Sequence, residues 1–210
     1  MKPAHSGFTY VELLVVLAIF AVLLGALFEK IEENQEVSAI SRDESDMHQN
    51  LEDVLTLIAS EMKMAGFPPA SYYDWDYLQA PSTHRNLVAM GLVGAQPQSV
   101  QFQGDINGDG EVDYVHYFLS GSTPPYNLNR FGGKLNRIDG SLPGGSPQKM
   151  SEQVESFHLR YYDRFGVETA VLQNIRQIEV RLTLRTKRVD PLTRVYRSDA
   201  KSVRVCPMNL

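Results

Sequence analysis

The sequence predicts an α+β fold, and three observations predict it. An unbroken helical pattern fills the first third of the chain, alternating strand-like segments fill the rest, and Gly- and Pro-rich turns separate them. The expected architecture is a long N-terminal helix whose first half is apolar enough to lie in a membrane. Its second half packs on an antiparallel β-sheet of four to six strands. The chain has 210 residues, enough for one span and one globular domain of about 150 residues with a real core.

The apolar half runs from Phe8 to Phe28, FTYVELLVVLAIFAVLLGALF, and holds one charged side chain, Glu12. At about 1.5 Å per residue it covers roughly 30 Å, the thickness of a bilayer's hydrocarbon core. An ordinary secretory signal does not fit. Its apolar core is shorter and precedes a small-residue cleavage site. Here the run is longer, Glu29, Lys30, Ile31, Glu32 and Glu33 follow it, and the small residues Ser6 and Gly7 come before it. An intramembrane carboxylate is costly and therefore points to function.

The segment 29–66 continues the helix with different chemistry. Residues 29–46 are rich in carboxylates, and then Leu51, Leu55, Ile58, Met62 and Ala65 mark one face of an amphipathic helix. Gly66, Pro68 and Pro69 supply the stop. Residues 67–210 form the β-rich domain. Strands are expected at 100–103, 112–119, 154–162, 177–185 and 195–205, with short ones at 127–130 and 134–138 inside a Gly- and Pro-rich loop region over 120–149. The clearest is 177–185, where Ile178, Val180, Leu182 and Leu184 alternate with Gln177, Glu179, Arg181, Thr183 and Arg185.

The stretch KPAHSGFTYVE, Lys2 to Glu12, resembles the leader of type IV pilins and of the pseudopilins of type II secretion. The resemblance covers the first 28 residues closely. It implies a leader over residues 1–7, removed by a prepilin peptidase between Gly7 and Phe8. It also implies N-methylation of Phe8, and Glu12 as the fifth mature residue, pairing in the filament with the amine of Phe8 on a neighbouring subunit. Residues 8–28 then serve as membrane span and later as filament core, 29–66 as the stalk, and 67–210 as an exported domain; the whole is a pilin-like fold. One departure is that Glu29 stands where many major pilins have a helix-weakening proline. HLRYYDRFG (158–166), IRQIEVRLTLRT (175–186) and the closing MNL are similar to PilW-type minor pilins and J-type pseudopilins. That implies a minor pilin that primes assembly at the pilus tip, alongside other minor pilins and the major pilin. It would stay in the inner membrane before assembly and be exposed at the cell surface afterwards. A type II secretion pseudopilin is the alternative; a calcium-binding, single-pass membrane protein that never polymerises is a further one.

A second motif reads Asp105-Ile-Asn107-Gly-Asp109-Gly-Glu111-Val-Asp113. Side-chain oxygens recur at alternate positions, as Ca²⁺ requires of a tightly curled loop, and Glu111 can add its carbonyl. His116 stands at the position where an EF-hand has its bidentate acid, so the loop resembles shorter calcium loops. A hairpin turn with solvated acids is the competing reading, and mutual repulsion of three close carboxylates favours a cation.

The formal charge of −5, without a basic stripe, argues against nucleic acid as partner. The five histidines lack zinc-ligand spacing. No nucleophile elbow or comparable context is present, so no enzyme is expected. The aromatic stretch SYYDWDYL, Ser71–Leu78, packs under a loop or forms a contact surface. Cys206, the only cysteine, is expected to be buried at the end of the last strand.

Overall fold

A computed structural model describes residues 9–73, 87–135, 142–207 and 209. Helix α1, Tyr10–Lys63, has 54 residues and is about 80 Å long at the helical rise. It starts with a capping box. The Thr9 side chain accepts from the Glu12 backbone N–H, and the Glu12 carboxylate accepts from the Thr9 N–H, both at 3.3 Å. It ends where the glycine demands. Gly66 has φ +82 and donates its N–H to the Gln103 carbonyl at 2.9 Å. A Cβ there would lie 2.3 Å from the Asn209 carbonyl oxygen, so both the left-handed backbone and the close approach require glycine.

From Tyr10 to Ser38 the helix is exposed along its whole length. Ile40 is the first buried residue, followed by Met47, Leu51, Val54, Leu55, Ile58 and Met62. This half lies on one antiparallel sheet whose spatial order is its sequence order, β1-β2-β3-β4-β5-β6-β7. The strands are β1 Gly91–Gln96, β2 Ser99–Gly104, β3 Asp113–Ser120, β4 Tyr126–Lys134, β5 Gln148–Tyr162, β6 Gln177–Val189 and β7 Tyr196–Val205. The core lies between α1 and the sheet. Ile178, Val180, Leu182 and Leu184 of β6 and Val154, Phe157, Leu159 and Tyr161 of β5 face it from below the helix, with Phe102, Val115 and Tyr117 of β2 and β3 beside them. Fully burying one such large side chain contributes about 1.5–3 kcal/mol.

Among the described residues the sheet has seven strands, against the expected four to six. The expected loop region 120–149 contains a single nine-residue strand, β4, which joins 127–130 to Lys134 instead of forming two pieces. Its Gly132 and Gly133 read as breakers but face Val115 and Tyr114 across the ladder, where pairing with β3 holds the backbone extended. The rest of the second expected piece, 136–138, lies outside the described residues. β1 was not expected, since Gly91, Gly94 and Pro97 surround too few apolar residues; it forms by pairing with β2 through a bulge at Leu92/Gly94. Cys206 is exposed, against expectation. Val205 and Pro207 are both buried, so strand alternation turns the residue between them to solvent.

Candidate functional site

The N-terminal candidates and the acidic loop sit at opposite ends of α1. Gly7 and Phe8 lie outside the described residues. Glu12 is in the first turn, where its carboxylate takes the Thr9 N–H and hydroxyl, both at 3.3 Å. It is exposed, as are the surrounding Tyr10, Val11, Leu13, Leu14, Val15 and Val16. α1 is long and apolar enough at this end to cross a membrane, and its apolar window is wholly unburied. In lipid, the capping box gives this carboxylate two donors without a countercharge. Among the described residues no cation stands beside it.

At the other end the loop Asp105–Val112 joins β2 to β3 and abuts the helix terminus: the Asp105 N–H donates to the Phe67 carbonyl at 2.8 Å. The Asp105 carboxylate is buried and organises the loop. It accepts N–H groups from Gly108 at 2.7 Å, Asp109 at 3.1 Å and Gly110 at 2.9 Å. Gly108 and Gly110 have positive φ, which aims those N–H groups inward. The Asn107 side chain donates to Asp109 at 2.9 Å, and Asp113 accepts the Ile106 N–H at 3.3 Å.

Two of these acids already have a cation. The Lys134 ammonium lies 2.6 Å from Asp109 and 2.8 Å from Glu111. It is there because the β3–β4 register places Lys134 opposite Asp113. The Lys134 hydrogen bond, aided by the Glu111 N–H, holds the Asp109 carboxyl below its ordinary value. Burial pushes Asp113 the other way, with Asp109 and Asp105 adding to it. Among the described residues no three His, Cys, Asp or Glu side chains converge in metal-holding geometry. His116 stands apart on β3, 2.8 Å from the Ser99 hydroxyl and packed on Phe118, so it is no part of the loop.

Sequence reasoning passed over a buried polar cluster beneath the helix end. Glu61 of α1 accepts from the Tyr117 hydroxyl at 2.6 Å and from Arg130 Nε at 3.0 Å, with Arg130 Nη2 2.9 Å away. Burial, and then the charge of Glu61, push the Tyr117 hydroxyl well above the ordinary range. Burial works to lower the Arg130 pKa, but the hydrogen bond and charge of Glu61 outweigh it and raise it. The signal for this cluster was a carboxylate three residues after Ile58 on the apolar face. In the aromatic stretch, Phe67, Tyr72 and Tyr73 stack edge to face, and the Tyr73 hydroxyl donates to the Leu87 carbonyl at 3.3 Å. Tyr72 remains exposed, while Trp75 and Tyr77 lie outside the described residues.

Residues 2–28 match the family model described as the prokaryotic N-terminal methylation motif. No curated protein matches the chain. The motif coincides with the helix end where an apolar, unburied surface carries one carboxylate, and the rest of the chain has the α+β arrangement of pilins. Motif and apolar helix together support an inner-membrane-anchored protein of the type IV pilin and pseudopilin superfamily.

Proposed function

We propose that the chain is a minor pilin, processed between Gly7 and Phe8 by a prepilin peptidase, that helps prime assembly of a type IV pilus and caps or decorates it. The observation that carries this reading is Glu12, an exposed carboxylate with no countercharge among the described residues, inside the matched motif and an unburied apolar helix. Assembly gives it one, the amine of a neighbouring Phe8. The role is structural rather than enzymatic, and the partners are the other minor pilins and the major pilin. The test follows the protein from membrane to filament. Mass spectrometry of both fractions should find a chain beginning at N-methylated Phe8. Glu12→Ala should insert and fold but be depleted from sheared filaments, since stranding one charge of a buried pair costs about 3–5 kcal/mol. A mature N-terminus elsewhere sinks the family reading, and equal recovery of Glu12→Ala sinks the docking role. Recovery with a type II secretion assembly instead of a pilus selects the pseudopilin alternative. A processed chain absent from any filament selects the non-polymerising one.

A second reading concerns the acidic loop, and the crowding of Asp105, Asp109 and Asp113 favours it. We propose that Ca²⁺ binds there with Asp105, Asn107, Asp109, Glu111 and Asp113 as ligands, displacing the Lys134 ammonium from Asp109 and Glu111. Extracellular calcium suits a weak site of this kind. Binding at a hundred times Kd stabilises the fold by about 2.7 kcal/mol. Calorimetry should show binding at millimolar calcium, tighter in Lys134→Ala and abolished in Asp105→Ala with Asp109→Ala. No binding in wild type or in Lys134→Ala means that the loop is an acidic hairpin turn and not a calcium site.

A further inference from the structure

The β6–β7 hairpin presents apolar side chains to solvent at its tip. Leu192 is 81% exposed and Val195 61%, with Val189 and Tyr196 also open. The tip is rigid. The Asp190 carboxylate accepts the Leu192 and Thr193 N–H groups at 2.8 and 3.3 Å and holds Arg197 at 2.7 Å. The Arg194 N–H closes the turn on the Asp190 carbonyl at 2.8 Å. A turn tied in this way holds Leu192 outward, so little ordering remains to oppose binding. Around it stand Arg185, Lys187, Arg188, Arg194 and Arg197. Asp190 and Glu44 take Arg197, Asp43 lies 3.8 Å from Arg188 and Glu36 shares its recess, which leaves the exposed Arg194 and the 62% exposed Arg188 facing solvent.

The position of the tip identifies what it faces. β7 climbs α1 in step: Arg197 pairs with Glu44, Asp199 with His48, and Lys201 with Glu52. The turn before β7 therefore hangs toward the membrane end of the helix, and Val189 and Pro191 share a recess with Glu36, Ala39 and Ile40. Glu36 is eight residues beyond Phe28, about 12 Å above the end of the apolar span. A bilayer's headgroup layer occupies roughly 5–8 Å of that height. The remainder is a few Å, within the length of an extended arginine side chain, and the tilt of about 20° usual for a span lowers one side of the domain further.

We propose that this hairpin is a second membrane contact. Leu192 and Val195 enter the headgroup layer of the bilayer that holds α1, and Arg188 and Arg194 bind lipid phosphates. Basic and apolar side chains at one surface are the combination that interfacial segments use. Glu29, Glu32 and Glu33 on the stalk repel phosphate, so the hairpin and not the stalk holds the lipid. The contact rests on the membrane anchor alone and not on the pilus reading. It keeps the domain against the membrane.

The full chain in nanodiscs, one copy per disc, provides the test. In a Cys206→Ser background, Thr193→Cys carries a bimane label and a quencher is attached to the lipid headgroups. Quenching should be several-fold stronger at Thr193 than for the same label at Val167→Cys, in the loop between β5 and β6. It should fall toward that control level with Leu192→Ser and Val195→Ser, and with Arg188→Gln and Arg194→Gln. Millimolar inorganic phosphate should leave the quenching at Thr193 unchanged, because the ligand is the lipid surface and not the free anion. Equal quenching at the two labelled sites, or quenching at Thr193 that is indifferent to both pairs of substitutions, overturns the proposal.

Discussion

Two glutamates on one helix show how burial decides the meaning of a charge. Glu12 interrupts an apolar run and is conspicuous in the sequence. Glu61 also stands on an apolar face, but the amphipathic end of a helix carries many acids, and nothing local distinguishes a buried one. Its side chain is 8% exposed and that of Arg130 is 21%, so both charges are largely removed from water. Such a pair contributes little over an apolar one, but breaking it strands a charge. Arg130→Ala should therefore destabilise the domain by about 3–5 kcal/mol, because Glu61 keeps only the Tyr117 hydroxyl. Glu61→Leu should cost less, because the more exposed Arg130 turns to solvent. Urea denaturation of both variants measures this, and equal losses would mean that the stranded carboxylate is not the cost.

At the scale of elements, the β6–β7 hairpin depends on one carboxylate. Asp190 is buried, and its hydrogen bond to Arg197, aided by the Leu192 N–H, holds its pKa below the ordinary 3.8. A carboxyl with a depressed folded pKa stabilises the fold above its unfolded value and loses that contribution as pH falls through the folded one. The turn should thus stay intact through the neutral and mildly acidic range and loosen only below about 3.8. Amide resonances of Leu192 and Thr193, followed by NMR as the pH is lowered, should shift together there. Asp190→Asn keeps an acceptor but removes the charge, so its turn should be looser at neutral pH and show no such transition. A shared transition in the Asn variant would assign the titration to another group.

For the whole molecule, the boundary between the two halves of α1 is sharp. Residues 10–38 bury nothing in the domain, whereas Met47, Leu51, Val54, Leu55, Ile58 and Met62 fill the core with β5, β6 and β7. Removing residues 1–28 should therefore leave a soluble domain with the thermal unfolding midpoint of the full chain in detergent. Removing residues 1–46 should lower it, because Ile40 and the Asp43 and Glu44 contacts to Arg188 and Arg197 are lost. Removing 1–62 should abolish folding, since the apolar face of the sheet loses its cover. A stable domain without the helix would mean that the sheet forms its core alone.

The sequence by itself determined whatever repeats within a few residues. The length of the apolar run, the Glu12 signature, the helical face ending at Gly66 and the alternation of β6 are local patterns, and the structure places helix and strand there. Pairing between distant segments was decided only by the tertiary structure. β1 has almost no pattern of its own and exists because β2 offers it an edge. β4 runs through two glycines because β3 holds it there. The acidic loop showed its carboxylates but not its counter-ion, since Lys134 reaches Asp109 and Glu111 through the β3–β4 register. Cys206 followed its strand's alternation rather than its apolar neighbours. Glu61 joined Tyr117 and Arg130 from three separate elements, a meeting that no local period encodes, because hydrogen bonds between side chains depend on where the packed backbone brings them.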